Sequence, residues 1–474
     1  MTTSRHDTVG REDLVNFISA ALACTGQAEF YGDAYGQAIS IEFLHEYVLG
    51  NYRRMYAHCL AAGVNDFNRA RIVRNLLATS KAAGVEQRRE EGRLIAVALD
   101  RLPPNRVYRL FENLAQHKLG NRRLRRIVAD YLATRPDLPL HALKYRRRLA
   151  RIVAHLHLRL DPETSAVLFD LARQRRYTTA LYESYRRAQH DERAIYELPY
   201  TVAEGIAARR KVPRERFLTN IAPRLTARER LRLQGAGANI EGIAEVDLER
   251  YSLTRLAIYF LSLAPAQRRI RFAELDAAMT RAAARVVARA GLRLGRVALV
   301  ADNSYSASGS LAKHNRPLAL ALATRYLLAA AATELDARWT SPIGSLADLR
   351  AVGHSDLASP LLAALRGQPE LLVLVSDGYD NDPPGAAGEL IRVFRARLDP
   401  EHRTALVHFN PVYDAGEYAT KALDPAMTTL GIRDVEGLPT LLGLARFVDG
   451  SASLAELEAT LDARARAYVS EAEA

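Results

Sequence analysis

The residues best suited to chemistry lie in the C-terminal part of the chain. Asp302-Asn303-Ser304-Tyr305-Ser306 is a DxSxS run directly after the apolar stretch 297–301. Asp302, Ser304 and Ser306 can aim one carboxylate and two hydroxyls at a common centre. Asp377 closes a second apolar stretch, 371–376, and precedes Gly378, whose unhindered backbone permits a tight turn. Between them lies Gly353-His354-Ser355-Asp356-Leu357, and Ser355 can supply a third hydroxyl. Two carboxylates and three hydroxyls are all hard oxygen donors. Such a set suits Mg²⁺ or Mn²⁺ in octahedral geometry rather than zinc or copper. So few carboxylates leave positions for water and for an acidic group from a protein partner.

The elements around these residues read as alternating strands and helices. Residues 297–302 read as a short buried strand and 317–335 as a long Ala- and Leu-rich helix. Residues 337–343 are a possible strand, 371–377 a strongly apolar strand, 386–397 a helix and 404–410 a further strand. Helices over 358–365, about 438–447 and about 453–467 complete the pattern. Strands alternating with helices imply a doubly wound α/β domain with a parallel sheet, whose ligands bind at the carboxyl ends of the strands. Both strand-ending aspartates would sit there.

The first 290 residues read differently. Ala142, Tyr145, Leu149, Ile152, Val153 and Leu156 recur at helical spacing, which suggests one helix across 140–158. Pro103-Pro104 opens another helix, and further helices carry Leu124, Ile127, Val128 and Tyr131, then Leu181, Tyr182 and Tyr185. Helices in series, without alternating β-branched runs, suggest an α-solenoid of the HEAT kind. The expected organisation is therefore a helical domain over 1–290 and an α/β domain over 291–474. Residues 1–290 hold 49 basic and 31 acidic side chains, a net of +18; residues 291–474 hold 17 and 23, a net of −6. A basic module joined to an acidic one points to a polyanion partner. Basic clusters occur at Arg122, Arg123, Arg125 and Arg126, at Lys144, Arg147, Arg148 and Arg151, and at Arg175 and Arg176. Tyr52, Tyr56, Tyr145, Tyr177, Tyr182 and Tyr185 lie among basic residues, where rings could stack on the bases of single-stranded RNA. A high-GC genome rich in Arg and Ala, with a solvated charged face and core tyrosines, accounts for the same composition.

The C-terminal motifs resemble the von Willebrand factor A domain and its metal-ion-dependent adhesion site. That family has DxSxS after the first strand, a Thr before a central helix and an Asp after a later apolar strand. Asp302, Ser304 and Ser306 match the first element, Ser355 in GHSDLASPLLAAL takes the Thr position, and Asp377 in VLVSDG matches the third. Serine at 355 keeps the hydroxyl and loses a methyl. Module order and charge resemble the Ro ribonucleoprotein family, whose helical part is called the TROVE module. The tracts TALVHFNPVYD and LDPAMTTLGIRDVEGLPTLLGLARF look similar to that family's closing strand, loop and helix. The resemblance implies a ring of helical repeats that binds small structured RNAs and the single-stranded ends of misfolded RNAs. On that basis Arg122, Arg123, Arg126, Lys144, Arg147, Arg148, Arg151, Arg175 and Arg176 would contact RNA.

Other chemistry fits poorly. A haloacid-dehalogenase phosphatase needs a second carboxylate two residues after the first, and that position is Ser304. The Gly353-His354-Ser355 run lacks the second glycine of a nucleophile elbow. His155 and His157 are two apart on a helix and cannot form a zinc pair. No Walker A loop or GxGxxG is present. Two cysteines, Cys24 and Cys59, cannot build a disulfide scaffold. No stretch suits a membrane span and no apolar leader is read, so a cytoplasmic protein is expected. The expectation is a non-enzymatic RNA-binding protein with a divalent-metal A domain. Its alternative is an A-domain scaffold or adaptor, for example for an AAA+ ATPase, with a metal-dependent hydrolase third.

Overall fold

The computed structural model describes residues 5–171, 174–226, 229–230, 233, 248–448 and 453–473. The chain forms two compact units. One joins residues 1–68 to 248–471, and the other holds 69–247 with the last three residues. This differs from the expected boundary at 290. The strands begin just after Gly291, but the described residues of 1–68 and 248–290 belong to the same compact unit as the sheet.

The unit over 69–247 is helical, with no strand among its described residues. Its helices include Val85–Arg101, Pro104–Gln116, Arg122–Ala133, Pro162–Phe169 and Ala180–Ala188. Local sequence sets their starts. Asn121 and Asp161 accept hydrogen bonds from Leu124 N and Thr164 N, both at 2.8 Å, and Pro104 and Pro162 occupy first-turn positions where no amide donor is required. The helix expected over 140–158 is two helices, Leu138–Lys144 and Arg146–His155. Tyr145 interrupts them at φ −114°, ψ 24°, and stacks its ring on that of buried Tyr108 at 5.0 Å. Helices here pack against others two to three elements away along the chain, as Pro104–Gln116 does with Arg146–His155.

The other unit is built on a five-stranded parallel sheet. Its strands are β1 (Leu294–Ala301), β2 (Ala332–Trp339), β3 (Leu371–Val375), β4 (Ala405–Asn410) and β5 (Thr428–Gly431), in the order β2-β1-β3-β4-β5. β1, β3 and β4 coincide closely with the expected strands. The helix expected over 317–335 ends at Ala331, and β2 starts at once, earlier than the expected 337–343. Ala332, Glu334 and Leu335 at the start of β2 are themselves good helix formers, so the sequence did not mark that switch. β5 is four residues long, too short to show alternation. The helix Arg316–Ala331 is buried almost all round, which explains its lack of a polar face. The helix Arg5–Ala23 packs on β5 so closely that a β-carbon at Gly431 would collide with the Ser19 carbonyl oxygen, so only glycine fits there.

Candidate metal centre and basic helical face

The connections from β1 run first to β2 on one side and then to β3 on the other. The crevice at the carboxyl ends of β1 and β3 is therefore the topological switch point, where open α/β sheets place their ligands. Asp302 follows β1 and Asp377 lies just beyond β3. The sheet thus carries both carboxylates to the same rim.

The five expected donors converge. Ser304 Oγ lies 3.2 Å from Ser306 Oγ, and Ser355 Oγ donates to Ser304 Oγ at 3.0 Å. The Ser304 amide donates to Asp302 Oδ1 at 2.7 Å, and Ser306 hydrogen-bonds Asp377. Asp302, Ser304, Ser306, Ser355 and Asp377 are all at most 6 % exposed. Backbone bonds hold the GHS loop to the DxSxS loop: Val352 N donates to Asn303 O at 2.8 Å, and Tyr305 N to Gly353 O at 3.0 Å. Gly378, at φ 79°, turns the chain after Asp377 against the Lys421 carbonyl, which leaves no room for a side chain.

Burial and the neighbouring Asp377 charge push the Asp302 carboxyl up to about 6, and burial also raises Asp377. Two buried carboxylates that repel one another favour a divalent cation between them. Among the described residues, no cluster of three or more His, Cys, Asp or Glu side chains could hold a metal. The donor set is instead two carboxylates and three hydroxyls, which fits a hard cation such as Mg²⁺.

Sequence reasoning missed three neighbours. Thr340, just past β2, donates to Asp302 Oδ1 at 3.2 Å. Asn303, the variable position of DxSxS, accepts from Ser341 N at 2.8 Å and ties the end of β2 to the site. Tyr31, some 270 positions upstream, brings its hydroxyl within hydrogen-bonding reach of Ser306 and Asn381. The polar run Thr340-Ser341-Pro342 directly after β2 was a signal for Thr340; nothing local marked Tyr31. Asp380 is a loop carboxylate that accepts from Ala387 N at 2.7 Å, at the start of the helix Ala386–Val393.

The basic residues of the helical unit divide into two groups. Arg123 pairs with buried Glu91 at 3.1 Å, Arg126 with Asp130 at 2.7 Å, and Arg148 and Arg151 share Glu112 at 3.1 and 3.0 Å. Arg122, Arg147 and Arg175 are exposed and form no ion pair among the described residues. Exposed Lys144 lies 5.5 Å from the Tyr145 ring centroid, and exposed Arg176 acts on Glu183 through its charge. Arg173, within the arginine-rich stretch 173–187, lies outside the described residues. The tyrosines do not form the expected stacking surface. Tyr56, Tyr177 and Tyr182 are buried, and Tyr52, Tyr145 and Tyr185 are partly buried. Tyr177 and Tyr182 pack edge to face within the helical unit, whereas Tyr56 packs against Phe17 and His45 in the sheet unit, so these buried rings serve as core in both. His155 is bonded to the Leu119 carbonyl at 2.8 Å. No helix among the described residues is long and apolar enough to cross a membrane.

No family model and no curated protein matches this chain. Among solved structures, the crystal structure of the Deinococcus radiodurans RO (RSR) protein is similar to it at a TM-score of 0.45 and 15 % identity, over 93 % of this chain and 100 % of that one.

Proposed function

We propose that this protein is a non-enzymatic, cytoplasmic RNA-binding protein of the Ro kind. In this reading the HEAT-like helical unit binds small structured or misfolded RNA, and the von Willebrand factor A-like domain holds Mg²⁺ or Mn²⁺ on Asp302, Ser304, Ser306, Ser355 and Asp377. The carrying observation is where the charge sits. Residues 69–247 hold 37 basic and 20 acidic side chains, a net of +17, while the rest of the chain nets −5. The positive excess therefore belongs to one compact unit rather than to the first 290 residues as a whole. Guanidinium groups on such a surface neutralise phosphates and release counterions. Binding of a structured RNA with single-stranded ends, measured across a salt series, tests this. A steep fall of affinity with salt is expected, and no binding at low salt overturns the proposal.

One observation favours the scaffold reading. Tyr35, Ile39, Phe43 and Tyr47 recur every four residues along the helix Ala34–Asn51, and all are at least 38 % exposed. An exposed apolar stripe of that kind suits a protein partner. Purification with a stoichiometric ATPase, and without ribonuclease-sensitive absorbance at 260 nm, selects that reading.

A further inference from the structure

The segment between the helices Arg5–Ala23 and Ala34–Asn51 lies against the metal centre. Buried Glu29 pairs with buried Lys313, and Ser310 Oγ donates to the Ala28 carbonyl at 2.7 Å. A tight turn, with Glu29 N donating to Gly32 O at 2.8 Å, then presents Phe30 and Tyr31 beside the site. Phe30 meets Tyr31 edge-on at 4.7 Å and Tyr305 edge-on at 5.8 Å. Tyr305 sits in sequence between the two DxSxS serines. Tyr31 continues the row to Tyr379 at 4.6 Å, and the Lys421 ammonium lies 4.2 Å over that ring. Tyr31 is 54 % and Tyr305 66 % exposed. A cavity of about 280 Å³ opens between Tyr31, Tyr379 and Asp377.

Aromatic rings this exposed contribute little to packing, yet a contiguous row of them borders two buried carboxylates. Mg²⁺ held by one or two carboxylates keeps positions for waters and for the oxygens of a bound phosphate. A simple acidic side chain would fill such a position and leave the rings bare. A nucleotide would use both features: its phosphate on the metal and its base on a ring. Base–tyrosine stacking is tolerant of sequence, because every base has a π face. We infer that Tyr31 and Tyr305 make the metal centre a binding site for a nucleoside monophosphate group, with phosphate at the metal and base on the exposed rings. This rests on the proposal that Asp302 and Asp377 hold a divalent cation. The group can come from a free mononucleotide or from the phosphorylated end of a single strand.

Calorimetry on the full chain tests this in three steps. First, Mg²⁺ alone is titrated; no binding overturns the metal reading and this inference together. Second, 5′-phosphorylated tetrauridylate is compared with its unphosphorylated form, UMP and inorganic phosphate in Mg²⁺ and in chelator. The phosphorylated strand should bind at least tenfold more tightly than the unphosphorylated one, and chelator should remove the difference. UMP binding as tightly as the strand identifies the free nucleotide as the source; weaker UMP binding identifies the strand end. Inorganic phosphate binding as tightly as UMP overturns the inference while the metal reading stands. Third, Tyr305→Ala should weaken the phosphorylated strand about tenfold, and Tyr305→Phe should restore it. Wild-type affinity in both variants overturns base stacking on Tyr305 and with it the inference, and tighter binding of a short glutamate peptide than of the strand assigns the site to an acidic protein ligand instead.

Discussion

The amide of Asp302 donates to the Val375 carbonyl at 2.9 Å, one step beyond the last paired residues of β1 and β3, Ala301 and Val375. That bond continues the parallel ladder past the strand end. It fixes Asp302 beside the turn that carries Asp377, so the separation of the two carboxylates is set by sheet geometry rather than by loop conformation.

That rigidity makes a metal prediction. In chelator the wild-type sheet unit carries two buried, mutually repelling carboxylates. Asp302→Asn should therefore leave its melting temperature in chelator equal or higher. Mg²⁺ at a hundred times its dissociation constant should stabilise the wild type by about 2.7 kcal/mol and the variant not at all. Thermal unfolding with and without Mg²⁺ checks this. A metal-dependent rise that survives in the variant places the cation elsewhere.

For RNA, the arginines outside ion pairs should matter most. Replacing Arg122, Arg147 and Arg175 together by Ala should lower the slope of log affinity against log salt by roughly one for each phosphate no longer neutralised. Arg126→Ala, which removes a residue already paired with Asp130, should change the slope less. Filter binding at several salt concentrations distinguishes the two.

A pH dependence follows from His408. It is fully buried in β4, with Nε2 3.0 Å from the Ser376 carbonyl oxygen and Nδ1 3.2 Å from Thr429 Oγ1. Burial lowers its pKa to about 4, against 6.5 when unfolded. The unfolded chain thus binds a proton that the folded chain refuses. Stability is complete above about pH 6.5, falls as pH drops towards 4 and levels off below, a loss of about 3 kcal/mol at most. Urea unfolding at pH 7.5 and pH 4.5 should show the loss in wild type and less of it in His408→Asn.

The buried Glu29–Lys313 pair holds the 28–33 segment to the sheet unit. Glu29→Ala leaves a buried ammonium without its carboxylate and should cost about 3–5 kcal/mol. The double change Glu29→Leu with Lys313→Met should recover most of that loss, since an apolar pair of similar volume carries no desolvation penalty. Denaturant unfolding of the single and double variants is the check. Single and double variants of equal stability show that the ion pair is not what secures the segment.

The sequence alone determined the three central strands and picked out the five oxygen-bearing side chains that meet at one rim of the sheet. Each apolar run of β1, β3 and β4 is local, and each donor sits within a few residues of a strand end or a helix start, so topology rules carried them to one rim. What only the tertiary structure decided were the long-range partners. Nothing in residues 1–68 marked them as belonging with the sheet, because an amphipathic helix shows that it has an apolar face and not which surface covers it. The close approach of Ser19 to Gly431, the reach of Tyr31 to Ser306 and the division of arginines into paired and unpaired all depend on side chains brought together across many intervening residues. The tyrosines among the arginines show the same limit. Their spacing was visible, but whether a ring faces water or core was settled by packing, where burying an aromatic ring outweighs leaving it free to stack.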